Sequence, residues 1–394
     1  MQVSRRYTRQ MSFNERIYAA MDEVCPPICN QFIFEGEGDL DPGAWIEAVR
    51  KASEANPGSR LVLKGVLGMS RWVDSGVTPR VREVDAPEWD GNGPVGAPFL
   101  EERLLCREGP TCEVVLIHGA PPRVAFRTHH AVMDGRGTLT WAEDVFRALR
   151  KEDVIGSSST LTDVEMVKSF QSRKRKPFPS EHLSPAGTAR GNTRGVVWKR
   201  ARIRGGFTRV LPRCAVLLAR EARSISEGVV RFGVPVDLRR HRDGLRSTAN
   251  LSFALYIEVR PDTTEEQITQ DLVFQLEHGY EGMLSRGDEL FRHLPMRLIR
   301  SQGLRIIAAR HASGRYSLSG VLSNLGRIDL KPFEGGGFKA VGFWAIPPRN
   351  EYHPLFLAMA GYDDSLELVL SMPTVLASSG RLDAILDRLV LGMK

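Results

Sequence analysis

The sequence predicts an α/β protein of two comparable units, and three observations carry the prediction. Short runs rich in β-branched and aromatic residues alternate with amphipathic stretches of helical spacing along the whole chain. At 394 residues the chain exceeds the size at which a single hydrophobic core keeps growing. Between the two alternating stretches, residues 151–195 turn to Ser, Lys, Arg and Pro, with the tracts SSST and RKRKP. The expected division is a first unit over 1–160, a basic and Ser-rich linker over 161–195, and a second unit over 196–394.

Taken in order, Ser12 and Glu15 read as an S-x-x-E capping box, so a first helix is expected over 12–24. A strand rich in Phe and Ile follows over 30–36, and Asp41-Pro42 opens a helix that Pro57-Gly58 ends. Residues 60–67 read as a strand, 77–98 as a Pro- and Gly-rich loop, and 99–105 as extended chain. Residues 113–118 and 123–130 form a hairpin, and Thr140 with Glu143 reads as a capping box heading a helix over 141–149. After the linker come a strand at 196–203, a helix at 208–223, strands at 228–236 and 250–259, and helices over 264–285 and 290–309. A strand over 317–323 leads into a Gly-rich loop through 337. Residues 355–361 and 365–372 then pair around Asp363-Asp364, and 381–393 closes the chain as a helix.

The formal net charge of +7 fits an anionic partner, whether nucleic acid, a nucleotide-bearing donor or an acidic carrier protein, and charge alone does not choose among them. The run 173–176 reads as a solvated linker face, and without interleaved aromatics it does not favour nucleic acid. No apolar stretch approaches the ~18 residues of a membrane span, and the start lacks a signal-peptide core, so a cytoplasmic monomer with no membrane partner is expected. Of five cysteines only Cys25 and Cys29 lie close, without the second ligand pair of a zinc site; reduced thiols and no metal are expected. The phosphate-loop, dinucleotide and nucleophile-elbow motifs are missing from the sequence. His118, His241 and His353 stand isolated and read as structural.

The chemistry concentrates at 127–138, RTHHAVMDGRGT, which reads as a strand end, a tight turn and a helix start. Strand alternation puts Val124, Phe126, Thr128 and His130 on one face and Ala125, Arg127 and His129 on the other. His130 is thus expected on the buried face, at the strand end where a side chain can meet a ligand. Asp134-Gly135 turns the chain just beyond it. The spacing suits one imidazole that moves protons and one carboxylate that fixes the loop.

HHAVMDG, residues 129–135, resembles the HHxxxDG signature of an acyltransferase superfamily. That superfamily includes chloramphenicol acetyltransferase, nonribosomal peptide condensation domains, plant-type alcohol acyltransferases, wax ester synthases and polyketide-associated acyltransferases. The resemblance implies two chloramphenicol-acetyltransferase-like α/β sandwiches forming a V-shaped pseudo-dimer, with the motif at their junction on a central channel. It implies transfer of an acyl group from a thioester, on coenzyme A or the phosphopantetheine of an acyl carrier protein, to an alcohol or amine in natural-product biosynthesis. The thioester is a co-substrate and no bound cofactor is implied; the acceptor would be a small molecule or carrier-bound. By the same resemblance His130 would be the general base, His129 a supporting residue and Gly135 the space for the pantetheine arm. Asp134 would pair with Arg239 or Arg240 of VPVDLRRH, residues 234–241, and Asn250 matches a recurring Asn. SNLG, residues 323–326, resembles a channel-bordering loop in which Ser323 or Asn324 would donate to a polarised carbonyl. The chain lacks the DFGWG segment of plant-type members and the proline of the wax ester synthase loop. It therefore looks most like free-standing condensation-like or polyketide-associated members. The other reading is a condensation-like protein that has lost its chemistry and only recruits carrier proteins, against which the intact His130 and Asp134 count.

Overall fold

Two six-stranded sheets organise the chain, and strands from distant parts of the sequence complete the first. The computed structural model describes residues 6–285 and 287–394. The first sheet runs Glu334–Gly335, Phe338–Ile346, Cys29–Gly38, Arg123–His129, Cys112–His118, Arg80–Asp85. The second runs Val196–Arg204, Ser365–Pro373, Phe356–Tyr362, Gly320–Arg327, Val230–Asp237, Ser252–Val259. The architecture is thus the expected pair of mixed α/β units.

Helices Pro42–Ala55 and Gly135–Leu149 cover one face of the first sheet, burying Trp45, Trp141 and Phe146 against Phe34 and Phe126. Asp41 caps the first of these helices and Pro42 starts it, as the sequence signals. Each large apolar side chain so buried contributes roughly 1.5–3 kcal/mol. Phe126→Ala alone would cost about 3–5 kcal/mol, because its neighbours cannot collapse into the space. Helices Val210–Ile225 and Arg381–Met393 cover the second sheet in the same way, over Leu218, Phe232 and Leu386. A further cluster of Ile33, Val115, Ala125, Trp198, Trp344 and Val369 joins the opposite face of the first sheet to the second unit.

That last cluster corrects the strand reading at the motif. Because both faces of the first sheet are covered, Arg123–His129 is buried at every position, and alternation does not separate a core face from a solvent face. The sequence also assigns all of 196–394 to the second unit, yet Phe338–Ile346 pairs antiparallel with Cys29–Gly38 in the first sheet. A bulge between Ala340 and Gly342 shifts the parity of that strand. Phe338 and Ala340, then Phe343 and Ala345, therefore all face the helix-covered core. Glu35 receives Arg123 from its own sheet and Arg202 from the second, at 3.0 and 2.8 Å.

Other local expectations change for identifiable reasons. The loop over 77–98 contains an edge strand, Arg80–Asp85, parallel to Cys112–His118, while 99–105 holds only the end of a 3-10 turn, Pro98–Leu100. The long helix stops at Glu277, where Gly279 takes φ +62° and turns the chain. The linker contains helix Asp163–Phe170, with its own Thr162/Glu165 capping box. Arg175 of the basic run is not solvated like Lys174 and Lys176; it lies over the rings of Phe178 and Tyr256 at 4.7 and 4.3 Å.

Candidate functional site

Helix Gly135–Leu149 starts six residues earlier than the Thr140/Glu143 reading, because Asp134 is its N-cap. The chain therefore passes from a central strand into a helix through 130–134, and every turn of that passage is tied down.

His129 ends the strand fully buried, and its Nδ1 accepts the Ala131 N–H at 3.1 Å. Burial opposes a charge on this ring, while Cys106 and Asp22 favour one. The accepted N–H nonetheless requires an unprotonated Nδ1. In this geometry the ring's proton sits on Nε2, which faces Asp22 Oδ2 at 3.8 Å. Burial opposes ionisation of Asp22, but His129, the Ile28 N–H and Arg103 outweigh it and hold the carboxyl at about 2. His129 thus shapes the loop.

His130 lies just beyond the strand and is part-exposed, not on the buried strand face that alternation suggests. Its N–H donates to the Ile28 carbonyl at 2.9 Å, and its own carbonyl accepts Asn250 Nδ2 at 2.6 Å. The ring rests on Tyr18, with centroids 4.3 Å apart. Nδ1 stands 3.3 Å from the Met133 carbonyl, which can only accept, so Nδ1 carries the proton and Nε2 keeps a lone pair. Burial lowers the pKa of His130 to about 4, against the pull of Asp134 and the Met133 carbonyl, so the ring is neutral at pH 7. The Met133 carbonyl is in turn held by Asn30 Nδ2 at 2.8 Å.

Asp134 is buried and saturated. Oδ1 accepts the Gly137 N–H at 2.7 Å and Arg239 Nη2 at 3.1 Å; Oδ2 accepts the Leu251 N–H at 2.7 Å and Arg239 Nη1 at 3.0 Å. Arg239 uses its remaining donors on the Ser247 and Ala249 carbonyls and on Asp237. Of the two candidate arginines, then, Arg239 reaches Asp134. Arg240 pairs with Glu281 at 3.1 Å, which also takes His241 Nε2 at 2.7 Å, and the His241 ring stacks on Phe170. His241 is therefore not isolated.

Gly135 and Gly137 allow close approach. A Cβ on Gly135 would lie 3.1 Å from Phe32 and 3.3 Å from Leu325, so a larger residue would crowd both side chains at the helix start. A Cβ on Gly137 would fall 2.4 Å from the Thr248 carbonyl oxygen, so only glycine lets the helix start dock on the second unit.

Asn250 is committed to the His130 carbonyl and the Ser252 hydroxyl, a clamp on the backbone rather than a free donor. SNLG is not a loop after a strand but part of strand Gly320–Arg327. Past Val321 this strand leaves Val230–Asp237 and pairs on its other edge with Phe356–Tyr362. Asn324 is exposed, and its Oδ1 accepts the Gly326 N–H at 3.0 Å within a bulge. Ser323 is half-buried, with no side-chain hydrogen bond among the described residues. Leu325 carries this segment against the first turn of the motif helix.

The structure thus gathers His130, Asp134, Arg239 and Asn250 on one seam between the units and leaves Arg240 apart. Sequence reasoning missed Tyr18, Asp22, Asn30 and Gly137. Only Asn30 had a local signal, as a buried-strand amide just ahead of the Phe- and Ile-rich run 32–34. Among the described residues there is no cluster of three or more His, Cys, Asp or Glu placed to hold a metal ion.

No family model and no curated protein sequence matches the chain. Solved structures do. The condensation domain of the Monacolin K polyketide synthase MokA aligns at TM-score 0.63 and 12% identity, covering 98% of this chain and 96% of that one. The starter condensation domain of the rhizomide synthetase RzmA, in complex with C8-CoA, aligns at TM-score 0.64 and 15% identity over 98% and 93%. The epimerization domain from the third module of tyrocidine synthetase B aligns at TM-score 0.54 and 12% identity over 100% and 98%. Along essentially its full length, the chain has the fold of the condensation domains.

Proposed function

We propose that the protein transfers an acyl group from a thioester, on coenzyme A or a carrier protein, to an alcohol or amine in natural-product biosynthesis. The observation that carries this reading is the geometry of His130: its Nδ1 lies 3.3 Å from the Met133 carbonyl, which can only accept, so the Nε2 lone pair is left to accept a proton. It sits on the seam between two units whose fold occurs in domains bound to C8-CoA and, in one case, also to Leu-SNAC.

A thioester is already activated, so the protein need only align two substrates, move one proton and stabilise one oxyanion. In this reading Nε2 of His130 takes the proton of the acceptor hydroxyl or amine as its oxygen or nitrogen attacks the thioester carbonyl. The tetrahedral intermediate then collapses with cleavage of the C–S bond, and the proton returns from His130 to the departing sulfur. No acyl-enzyme forms. Ser323 is the candidate donor to the oxyanion. Asp134 with Arg239 holds the seam, and Asn250, His129 and Tyr18 position His130. In the same proposal 1–160 and 196–394 act as two units joined by 161–195, the first completed by the strand it borrows from the second.

The test offers one acyl group on coenzyme A and on a phosphopantetheinylated carrier protein, at low and moderate salt. On the better donor His130→Ala should lose ~10² to 10⁴ in turnover with its fold intact. His129→Ala should lose less turnover and more stability. A carrier donor would show the steeper salt loss, because its acidic face is extended and screened beyond ~8 Å. Near-normal turnover by folded His130→Ala would remove this histidine from the mechanism.

A further inference from the structure

Strands Leu61–Lys64 and Arg71–Asp74 form a hairpin whose tip is unusually apolar. Val66, Leu67 and Met69 are 55%, 42% and 73% exposed. A second turn, Asp288–His293, adds Leu290 at 66% and Phe291 at 37%. Scattered exposed apolar residues are ordinary, but several gathered on abutting turns are not.

The display is built rather than loose. Buried Arg16 donates from Nη1 to the Leu67 carbonyl at 3.2 Å and the Ser70 hydroxyl at 2.7 Å, and from Nε and Nη2 to the Leu294 carbonyl at 3.0 and 2.7 Å. One guanidinium thereby fastens both turns. They lie so close that a Cβ on Gly68 would fall 2.6 Å from His293 Nδ1. Leu67 is held at φ +50°, a conformation that costs a non-glycine residue and persists only where its surroundings impose it.

Charge completes the pattern. Lys64 and Arg71 are direct cross-strand partners at the base of the tip, both exposed, and neither has a carboxylate in ion-pair range among the described residues. Like charges placed opposite one another destabilise a hairpin unless something anionic meets them. The carboxylates of the second turn are already engaged: Glu289 by Lys168 at 2.6 Å, Asp288 by the Ser285 N–H at 2.6 Å. The tip is therefore apolar at its end and basic at its collar.

We propose that this tip is a docking surface for an anionic lipid membrane. Val66, Leu67, Met69 and Leu290 enter the interface, and Lys64 and Arg71 rest on headgroup phosphates. A projecting apolar tip asks a rigid protein partner for a matching hollow, whereas a fluid bilayer yields to it. The proposal departs from the expectation of no membrane partner, which rested on the lack of a spanning stretch. Among the described residues no helix is long and apolar enough to cross a membrane. Surface association needs only a short apolar tip with a basic collar.

The test is co-sedimentation of the full chain with vesicles of phosphatidylcholine mixed with phosphatidylglycerol, against phosphatidylcholine alone. The protein should sediment with the anionic vesicles and lose binding as salt rises. Met69→Asp combined with Leu290→Asp should weaken partition about tenfold or more. Lys64→Ala or Arg71→Ala should each weaken it about fivefold. Because these side chains are exposed, all three variants should melt like the parent. Met69→Trp should gain quenching by brominated lipid beyond that of the parent. Failure to bind anionic vesicles, or equal partition of the double Asp variant and the parent, overturns the proposal. So would capture of an acidic protein by the tip in a preparation that ignores vesicles.

Discussion

Replacing Asp134 with alanine removes four hydrogen bonds at once, from Gly137, Leu251 and both terminal nitrogens of Arg239. Two buried N–H groups lose their acceptor, and the Arg239 guanidinium keeps only Asp237 and the Ser247 and Ala249 carbonyls. Breaking one side of a buried ion pair costs about 3–5 kcal/mol, and losing an N-cap about 1 kcal/mol. Because Asp237 still neutralises Arg239 from 2.7 Å, the total falls at the lower end, about 3–4 kcal/mol. At roughly 2 °C per kcal/mol for a large domain, the melting temperature should drop by about 6–8 °C. Thermal melts followed by circular dichroism, with urea midpoints at unchanged m, measure this without any substrate. If Asp134→Ala melts within about 1 °C of the parent and fails only in turnover, the carboxylate is not structural and the reasoning is wrong.

The pH dependence follows from His130. Its folded pKa of about 4 lies below the ordinary 6.5, so the neutral base persists into acid and the acidic limb of kcat/KM should centre near pH 4. A limb centred at 6.5 or above refutes the assigned tautomer and environment. The unfolded chain takes up this proton first, so His130 contributes stability that is present above pH 6.5 and lost as pH falls toward 4. Asn30→Ala should free the Met133 carbonyl and lower kcat about tenfold with KM unchanged, the worth of one orienting hydrogen bond. A purely structural role would move the melting temperature and leave that ratio alone.

Much of the fold was legible because local signals agreed with the global arrangement. The Ser12/Glu15 box, the Asp41-Pro42 helix start and the hairpin before the motif all form where composition and caps point. The readings that failed depend on contacts no window contains. Thr140/Glu143 is a sound capping pattern, yet Asp134 takes the cap because Arg239 and Leu251 come from the other unit to hold it. The face of His130 could not be read from alternation, since the second unit covers the side a lone sheet would expose to water. Arg239 and Arg240 are equivalent as sequence, and a 3-10 turn over Leu238–His241 sends them to different carboxylates. Tyr18 lies far upstream and meets His130 only by tertiary packing.

The borrowed strand also bears on how the chain is made. Gln31 finds its cross-strand partner in Ile346, so the first sheet cannot close on that side until most of the chain exists. At about 5–20 residues per second of synthesis, Cys29–Gly38 waits roughly 15–60 s with an open edge after it emerges. An apolar strand left unpaired that long is a template for pairing with another chain. A fragment ending in the 161–195 segment would keep that edge open permanently. Expressed alone, the first unit should therefore associate through Cys29–Gly38 however well its helices pack, and the second half acts as the intramolecular chaperone of the first.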